Sequence, residues 1–583
     1  MTNKIGPLYG SDFIVDVLKK FNYEYITFNP GSTFRGLHDS IVNYGGNEAP
    51  EVILCNHEKI AVQIAHGYAK ALRKPILVAC HDVVGLLHAT NAIYYAYIDR
   101  VPMTILGATG PMDVTKRRPK IDWIHTVLIN NNLVRGFVKW DDQPFNIESV
   151  PESLIRAHRV ATMEPKGPVY VCLDVAIQEE ALKTPLEVPK VDRYLNHSRI
   201  QGDQELLNKT AELLLEAEMP ILVPEFTGRN REAVESLVKL ADLMATPVYD
   251  IEGRFNFPNT HPMDLTGSDI IERADLIMML DVRQPQRILK KVDSDTRKTR
   301  YIIRDDARIV QIGLEELMIR GLMQELGRIE PSDLSITADT SIALPSIIAA
   351  CEKKLTNRGR ARLKERFEDI REQHKKLRER WLVESKKDWG SSPLSASRLA
   401  AELWDVIRGY NWVLTGRNLE GWVRKLWELT DPQQYIGWSI GTATSIGLSL
   451  GVALAYKKTD NLVVDIQPDG DLMYDCGALW IGAHHNIPML VIMYNNRAYG
   501  NSLQHQITMA RQRGRNIENS IIGTEIDNPP PDFAQLAQSM GCIGFGPIED
   551  PEELKPVLEK AVESMKAHRV PVLIDTVCKR RGT

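Results

Sequence analysis

The sequence has few of the features that mark secreted, membrane or nucleic-acid-binding proteins. Its seven cysteines are scattered along 583 residues without a close pair, so a disulfide framework is not expected. No apolar run approaches the roughly 20 residues of a membrane-spanning helix, and the N-terminus lacks a basic segment followed by a long apolar stretch. The formal net charge is only −5, which argues against nucleic acid as a partner. We therefore expect a cytoplasmic protein that binds neither membranes nor nucleic acid.

Nucleotide-binding loops are also missing from the sequence. No G-x-G-x-x-G motif follows a predicted strand and no Walker-type loop is present, which argues against a Rossmann-type nicotinamide oxidoreductase. The composition is that of a globular protein, with 43% hydrophobic and 25% charged residues. A chain of 583 residues exceeds what one hydrophobic core supports, so about three domains are expected.

Short apolar runs alternate with helical patterns three times along the chain. The first region, residues 1–185, contains YEYITF, EVILC, PILVAC, PMTILG and GPVYVCLD, and the second, residues 200–345, contains PILVPEF, TPVYDI, ADLIMMLD and TRYIIRD. After a highly charged helical linker at 352–390, the third region, residues 391–583, contains NWVLTG, NLVVDI, PMLVIMY and VPVLIDTV. This alternation predicts an α/β fold of three doubly wound parallel-sheet domains.

Polar clusters follow two predicted strands of the third region. Asp469 in PDGD follows NLVVDI, and Asn496 in NN follows PMLVIMY. If the two parallel strands are neighbours, one ion beyond their carboxyl ends could contact both side chains. Carboxylate, amide and backbone carbonyl oxygens suit Mg²⁺, which commonly takes its other ligands from phosphates. Gly470 would let the backbone approach a diphosphate, whose charge the amides opening the next helix would favour. The alternative is a pair of ordinary polar turns.

This stretch resembles the thiamine diphosphate fingerprint of the acetohydroxyacid synthase, pyruvate decarboxylase and benzoylformate decarboxylase group. The shared features are the Asp-Gly pair, the 27 positions from Asp469 to Asn496, and the apolar run before the Asn pair. The resemblance implies that Asp469 and Asn496 hold Mg²⁺ by their side chains and that Ala498 supplies a main-chain oxygen. It also implies that Gly470 and Asp471 lie against the diphosphate.

Two positions depart from the family pattern. Pro468 stands where the family has Gly, and Asp471 stands where it has Ser or Ala. A carboxylate beside a diphosphate is unfavourable unless a metal ion or another cation compensates its charge. The segment VLTGRNLEGW is similar in position to the family's first diphosphate-contacting loop. Asn418 is the candidate contact there, and an ordinary loop residue is the alternative.

Two more segments resemble the family. The upstream segment CNHEKIAVQIAHGYAKA contains Glu58, which by resemblance hydrogen-bonds the aminopyrimidine ring and promotes removal of the thiazolium C2 proton. Without the downstream motif, the simpler interpretation of Glu58 is an exposed acid at the start of a helix. The segment GWSIGTATSIGLSLGVALA is like the one that bends the cofactor. There Ile440 takes the place of the wedging residue, and Trp438 contributes its carbonyl.

Three polar residues are candidates for acting on the substrate. Ser32 in FNPGSTF and His81 in VACHDVVG lie where benzoylformate decarboxylase has a Ser after NPG and an active-site His. His125 in DWIHTVL lies where pyruvate decarboxylases have the second of a His pair. Histidine titrates near neutrality and can pass protons to a developing alkoxide, whereas the alternative for each is a structural role. Ile124 and Ser502 replace a His and an acid of pyruvate decarboxylases, which argues against a plain member of that group.

The resemblance covers essentially the whole chain. It implies a pyrimidine-binding, a central and a diphosphate-binding domain in that order. Family active sites form between the first domain of one subunit and the last domain of another, so a homodimer or homotetramer is expected. Whether the central domain holds FAD, as in acetohydroxyacid synthases, the residues do not indicate.

The implied reaction uses thiamine diphosphate and Mg²⁺. It cleaves the C–C bond next to the carbonyl of a 2-oxo acid or related ketone and ligates the fragment to a second carbonyl. Nonoxidative decarboxylation and diketone hydrolysis are alternatives within the same chemistry. An alternative of another class is a noncatalytic homologue that keeps the cofactor as a binding module.

Overall fold

A computed structural model describes residues 6–293, 296, 298–318, 329–437 and 441–580. These residues form an α/β fold with three parallel sheets, which confirms the predicted fold class. Within these ranges, no helix has both the length and the apolar character needed to cross a membrane. All seven cysteines are free thiols, and all but Cys476 are buried.

The first sheet contains six parallel strands in the order β2-β1-β3-β4-β6-β5. Its helices cover both faces, as a parallel sheet with crossover connections requires. The strands are β1 (Tyr25–Phe28), β2 (Glu51–Leu54), β3 (Leu77–Cys80), β4 (Met103–Thr109), β5 (Asp141–Asp142) and β6 (Pro168–Asp174). The helices are α1 (Gly10–Lys19), α2 (Arg35–Asp39), α3 (Glu58–Leu72), α4 (Asp82–Ile98), α5 (Ile121–His125), α6 (Val150–Thr162) and α7 (Val175–Glu179).

The second sheet contains four parallel strands in the order β12-β11-β8-β7. The strands of this region are β7 (Pro220–Pro224), β8 (Leu276–Leu280), β9 (Lys290–Val292), β10 (Thr299–Tyr301), β11 (Arg308–Gly313) and β12 (Leu334–Thr337). The helices are α8 (Gln204–Glu216), α9 (Arg231–Met244), α10 (Ile270–Arg273), α11 (Gln286–Leu289) and α12 (Thr340–Lys354).

Two strand predictions in this region are wrong. TPVYDI forms only isolated bridges at Val248. TRYIIRD contributes β10, which pairs antiparallel with β9 outside the parallel sheet. All three residues of β10 are exposed, whereas a strand covered by helices on both faces needs apolar side chains on both faces. The sheet is completed instead by β11 and β12.

The charged linker forms one long helix, α13 (Asn357–Glu384). Its buried apolar side chains recur at intervals of about two helical turns and then one, namely Leu363, Ile370, Leu377 and Trp381. The remaining surface of α13 is mostly charged and exposed. The helix therefore packs against the protein through one narrow apolar stripe.

The third sheet contains five parallel strands in the order β13-β14-β15-β17-β16. The strands are β13 (Trp412–Gly416), β14 (Leu462–Pro468), β15 (Leu490–Asn495), β16 (Ile543–Ile548) and β17 (Val572–Val577). The helices are α14 (Ala396–Ile407), α15 (Trp422–Leu426), α16 (Ser445–Tyr456), α17 (Asp469–Asp475), α18 (Gly477–His484), α19 (Gly500–Gln512), α20 (Phe533–Ser539) and α21 (Leu554–His568).

Helices α3 and α16 join the first region to the third. A Cβ at Gly67 of α3 would lie 1.8 Å from the carbonyl oxygen of Leu448, and a Cβ at Gly451 of α16 would lie 2.0 Å from that of Ile64. The two backbones therefore touch, which only glycine permits. This contact fixes the direction of α3, the helix that begins at Glu58.

Candidate active site

Glu58 is a buried acid held between two helices. It begins α3, where Nδ1 of His57 accepts a hydrogen bond from the Lys59 backbone N–H at 3.1 Å and so caps the helix. Oε2 of Glu58 lies 3.3 Å from Nδ1 of the exposed His88 on α4. A Cβ on Gly85 would lie 2.7 Å from Oε1 of Glu58, so only glycine lets α4 pass this close to the carboxylate. In the described residues, His88 is the only side chain that pairs with this acid.

His81 and His125 lie together beside the turn that contains Ser32. Their ring centroids are 5.2 Å apart in an edge-to-face arrangement. Nδ1 of His81 lies 2.8 Å from Oγ1 of Thr33, the neighbour of Ser32 in the turn Ser32–Phe34. Burial, together with His125, lowers the pKa of His81 below its usual value, so its neutral ring predominates near pH 7. The structure thus brings the three substrate candidates of the sequence into one region.

Asp82 connects the segments that carry the two histidines. It follows His81 with a φ of 41°, a conformation rare for a non-glycine residue. Its buried carboxylate accepts hydrogen bonds from Oγ1 of Thr126 at 3.2 Å and from Nδ2 of Asn130 at 3.4 Å. Thr126 directly follows His125, whose Nδ1 is buried and has no hydrogen-bond partner within the described ranges. Asp82 therefore orients His125 relative to His81.

Asp469 and Asn496 meet at the carboxyl ends of neighbouring strands. They follow β14 and β15, which pair in parallel. Oδ2 of Asp469 and Oδ1 of Asn496 both accept a hydrogen bond from the backbone N–H of Ala498, each at 3.1 Å. Burial raises the pKa of Asp469 to about 6, because only backbone N–H groups compensate its charge. The three predicted metal ligands are therefore adjacent in the folded chain.

Gly470 and Asp471, the predicted diphosphate contacts, pack against different segments of the third region. A Cβ on Gly470 would lie 2.7 Å from the ring of Tyr499, so a side chain here would displace that ring. The carboxylate of Asp471 accepts backbone N–H groups from Ala443 at 2.6 Å and Ser445 at 3.3 Å, and so holds the start of α16. Burial raises the pKa of Asp471.

Asn418 is a helix cap with a partner in the central region. Its Oδ1 accepts the N–H of Gly421 at 3.2 Å, and its Nδ2 donates to Oε2 of Glu252 at 3.0 Å. The other two predicted contacts, Trp438 and Ile440, lie outside the described residues. Contact of Asn418 with a cofactor therefore stays a prediction.

Family models match both ends of the chain. The model "Thiamine pyrophosphate enzyme, N-terminal TPP binding domain" matches residues 8–128, and "Thiamine pyrophosphate enzyme, C-terminal TPP binding domain" matches residues 418–576. The first match contains Glu58, His81 and His125, and the second contains Asp469 and Asn496. The chain belongs to the thiamine pyrophosphate enzyme family. The resemblance inferred from the sequence is thereby confirmed.

Curated relatives of this thiamine pyrophosphate enzyme align over nearly its whole length. The probable acetolactate synthase 2, chloroplastic, of Oryza sativa subsp. japonica is 23% identical over 606 aligned positions, covering 98% of this chain and 83% of the relative. The acetolactate synthase large subunit of Haemophilus influenzae is 24% identical over 573 positions, covering 95% of this chain and 92% of the relative.

The fold is similar to that of solved thiamine pyrophosphate enzymes. Benzoylformate decarboxylase from Polynucleobacter necessarius superposes with a TM-score of 0.77 at 18% identity, covering 99% of each chain. The thiamine diphosphate-dependent 4-hydroxybenzoylformate decarboxylase of Rhodococcus jostii RHA1 has a TM-score of 0.75 at 18% identity, covering 99% of this chain and 100% of that one. These likenesses concern the fold alone.

The residues of this thiamine pyrophosphate enzyme fit a bound cation. Asp469 is 1% exposed and forms no ion pair with a basic side chain of the described chain. A buried carboxylate without a counter-charge is unfavourable, and a metal ion relieves that cost. No group of three or more His, Cys, Asp or Glu side chains suited to a metal occurs in the ranges that the structure covers. The candidate set is instead mixed, with one carboxylate, one amide and one backbone carbonyl.

The carboxyl edge of the central sheet, where doubly wound sheets bind nucleotides, is lined by buried ion pairs. Buried Glu225, Asp281 and Asp339 lie just beyond β7, β8 and β12. Arg229 pairs with Asp281 at 2.6 Å, and Arg283 pairs with Glu225 at 3.1 Å. These residues do not indicate a flavin site.

Three residues of the site were missed by the sequence reasoning. His88 contacts Glu58 across two helices, Thr33 contacts His81, and Asp82 joins the segments of His81 and His125. His88 lies seven residues after His81 in the sequence, which is a signal that could have been used. Thr33 and Asp82 are recognised only from contacts between distant segments.

Proposed function

We propose that this enzyme uses thiamine diphosphate and Mg²⁺ to cleave the C–C bond next to the carbonyl of a 2-oxo acid. The fragment is then joined to a second carbonyl, as the names of its acetolactate synthase relatives suggest. The observation that carries the proposal is the shared hydrogen bond from Ala498 to Asp469 and Asn496. It supports a cation at the strand ends, at the position expected for a diphosphate.

When bound, thiamine diphosphate supplies a thiazolium that stabilises a carbanion next to the former carbonyl. Asp469, Asn496 and the carbonyl of Ala498 would hold Mg²⁺. Glu58 would share a proton through its carboxylate with the aminopyrimidine, while Gly85 and His88 keep that carboxylate in position. The glutamate and the cation site are thus assigned to opposite ends of one cofactor.

The two histidines would handle protons at the reacting carbonyl. Nδ1 of the neutral His81 ring is hydrogen-bonded to Oγ1 of Thr33, so Nε2 is available to the substrate. His125 has a buried Nδ1 without a partner within the described part of the chain, and this atom can donate to or accept from a substrate oxygen. Ser32, beside Thr33, would bind the substrate carboxylate.

We also propose that two copies of the chain complete each site. Within the described residues of one chain, no hydrogen bond or ion pair joins Glu58 or His88 to Asp469 or Asn496. Large apolar side chains are exposed in both regions that carry these groups: Leu87 (54%), Trp123 (84%) and Leu128 (74%) in the first region, and Tyr474 (55%), Tyr499 (37%) and Ile522 (77%) in the third. Covering one set with the other in a homodimer or homotetramer would bury both and bring the groups together.

Nonoxidative decarboxylation is the second candidate, favoured by the His81–His125 pair. Two histidines near the reacting carbon can protonate it and release an aldehyde, which competes with attack on a second carbonyl. Ligation instead requires that protonation be slow while an acceptor enters. The two reactions use the same cofactor and differ in the last proton transfer.

Two measurements test the proposal. Apoprotein is titrated with thiamine diphosphate, with and without Mg²⁺, and tryptophan fluorescence is followed; we expect saturable binding that depends on the metal. Holoenzyme is then given pyruvate or an aromatic 2-oxo acid, with and without an aldehyde acceptor, and products are identified by mass spectrometry. Ligated products support the first candidate, and free aldehyde alone supports the second. Binding without any turnover of this panel would contradict both and favour the noncatalytic homologue.

A further inference from the structure

A cavity lies at the junction of the three regions, at the opposite end of α3 from Glu58. Its volume is about 230 Å³. The end of α3, the segment between β7 and α9, the segment 432–436 and the last residue of α16 form its walls. The charged side chains among its described lining residues are all cationic: Lys70, Arg73, Arg231 and Arg254.

The carboxylates near this cavity do not reach all of these cations. Lys70 lies 2.5 Å from Asp99, and Arg254 lies 3.8 Å from the same carboxylate. Arg73 donates to the carbonyl oxygen of Gly228 at 3.3 Å, and no carboxylate of the described residues forms an ion pair with it. Arg231 pairs with Asp431 at 2.8 Å, so the four cations have two carboxylate partners and the cavity wall has an excess of positive charge.

The buried side chain of Arg254 is the clearest indication that this cavity takes an anion. It is only 7% exposed, and its Nε is buried without a hydrogen-bond partner in the described ranges. Burial and neighbouring Arg side chains lower the pKa of both Arg254 and Arg73. Burial also lowers the pKa of Lys70 to about 8. A bound anion would relieve each of these costs.

We propose that this cavity binds a small phosphate-bearing molecule. A guanidinium fork matches phosphate oxygens in geometry and charge, and two Arg side chains with one Lys are a typical set for such a group. Leu72, Ile436 and Tyr456 form an apolar part of the wall that suits a short organic portion. The volume is sufficient for a phosphate with a few carbon atoms.

The cavity lies far from Glu58 along α3. Glu58 begins this helix, and Lys70 and Arg73 lie at its far end, about 20 Å away along a helix of 15 residues. A ligand in the cavity therefore does not contact Glu58. Binding can be measured on the full chain already saturated with its cofactor, and it does not depend on which reaction the enzyme performs.

The test is a calorimetric titration with inorganic phosphate and with glycerol 3-phosphate, at ionic strength held constant with chloride. We expect saturable one-site binding of glycerol 3-phosphate and a rise in Tm of about 2 °C at 100-fold excess over Kd. Arg73→Gln should weaken binding by ~10-fold or more, as should the more exposed Arg231→Gln. Arg371→Gln, on the exposed face of α13, is the matched control and should bind like the parent.

Three outcomes would overturn the proposal. They are no saturable binding of either phosphate probe to the parent, equal binding by the parent and both cavity variants, and equally tight binding of the dicarboxylate malate. Circular dichroism of each variant checks that the fold is kept. If Arg73→Gln does not fold, Arg231→Gln alone decides, because its side chain is at the rim and pairs with Asp431 on the surface.

Discussion

Gly85 of α4 lies against the carboxylate of Glu58, so closely that a Cβ on Gly85 would come within 2.7 Å of Oε1. Gly85→Ala should therefore displace the carboxylate without removing it. We expect activity to fall by ~100-fold, since a shift of about 1 Å at a catalytic group can cost that much. Steady-state kinetics with the 2-oxo acid that the product screen identifies is the measurement. Gly136→Ala is the control, because nothing lies within 4 Å of its Cβ position; equal loss in both variants would contradict the steric explanation.

Glu58→Gln keeps the size of the side chain and removes its ability to exchange a proton. We expect turnover to fall by ~10²–10⁴-fold, the usual contribution of a general acid or base, with much less change in cofactor affinity. Hydrogen–deuterium exchange at the thiazolium C2 of bound thiamine diphosphate gives a second readout that does not depend on the substrate. Glu148→Gln, an exposed substitution of the same kind, should behave as the parent. Unchanged C2 exchange in Glu58→Gln would remove the assigned role.

Asp469→Asn removes the carboxylate that the structure leaves without a counter-charge. We expect the affinity for Mg²⁺ in the presence of thiamine diphosphate to fall by at least ~100-fold. Removing a residue that only hydrogen-bonds a metal ligand already lowers metal affinity by up to about 100-fold, and Asp469 is assigned as a ligand itself. Calorimetry, or electron paramagnetic resonance with Mn²⁺ in place of Mg²⁺, measures the loss. The control is Asp460→Asn, an exposed turn residue. Parent-like metal affinity in Asp469→Asn would place the cation elsewhere.

Asp465 provides a pH test that does not involve the metal. It is fully buried in β14, it accepts a hydrogen bond from Oγ of Ser449 at 2.9 Å, and burial raises its pKa to about 7. Between about pH 4 and pH 7 the unfolded chain ionises this carboxyl while the folded chain keeps it protonated. Its contribution to the free energy of unfolding is therefore complete below pH 4 and is lost as the pH rises to about 7.

Asp465→Asn removes this dependence. We expect the Tm of the parent to fall relative to that of the variant as the pH rises from about 4.5 to about 7.5. The corresponding change in the free energy of unfolding is ~2–4 kcal/mol at most. Differential scanning calorimetry at both pH values measures it, and other carboxyls cancel because both proteins share them. A Tm difference that is constant with pH would show that Asp465 is ionised in the folded state.

Trp123 tests the assembly. Its side chain is 84% exposed in one chain, two residues from His125. If a second copy covers it, Trp123→Glu buries a charge in the contact, and we expect dissociation to single chains and loss of activity together. Sedimentation velocity at micromolar concentration measures the mass. Val383→Glu, at an exposed position of α13, should leave the mass unchanged. A parent that is itself a single, active chain would refute the shared site.

The limits of sequence reasoning are visible in particular segments. NLVVDI and PMLVIMY were predicted as parallel strands, and they pair as the neighbours β14 and β15. TRYIIRD has a similar composition, but its first three residues form the exposed strand β10, which pairs antiparallel with β9, while RIVQIG and LSIT complete the central sheet. A short apolar run has the same local preference in either place, and the packing of helices against the sheet decides between them.

The candidate site, too, was predicted only in part from the sequence. The strand pattern predicted that Asp469 and Asn496 follow the carboxyl ends of two parallel strands, and the family resemblance added Ala498. That the two strands are neighbours was decided by the tertiary structure. The contacts of Glu58 with His88, of Asp82 with Thr126, and of Asp471 with the start of α16 were decided only by the tertiary structure. They join residues 26 to 44 positions apart on separate elements, and such contacts depend on how those elements pack, which no local pattern encodes.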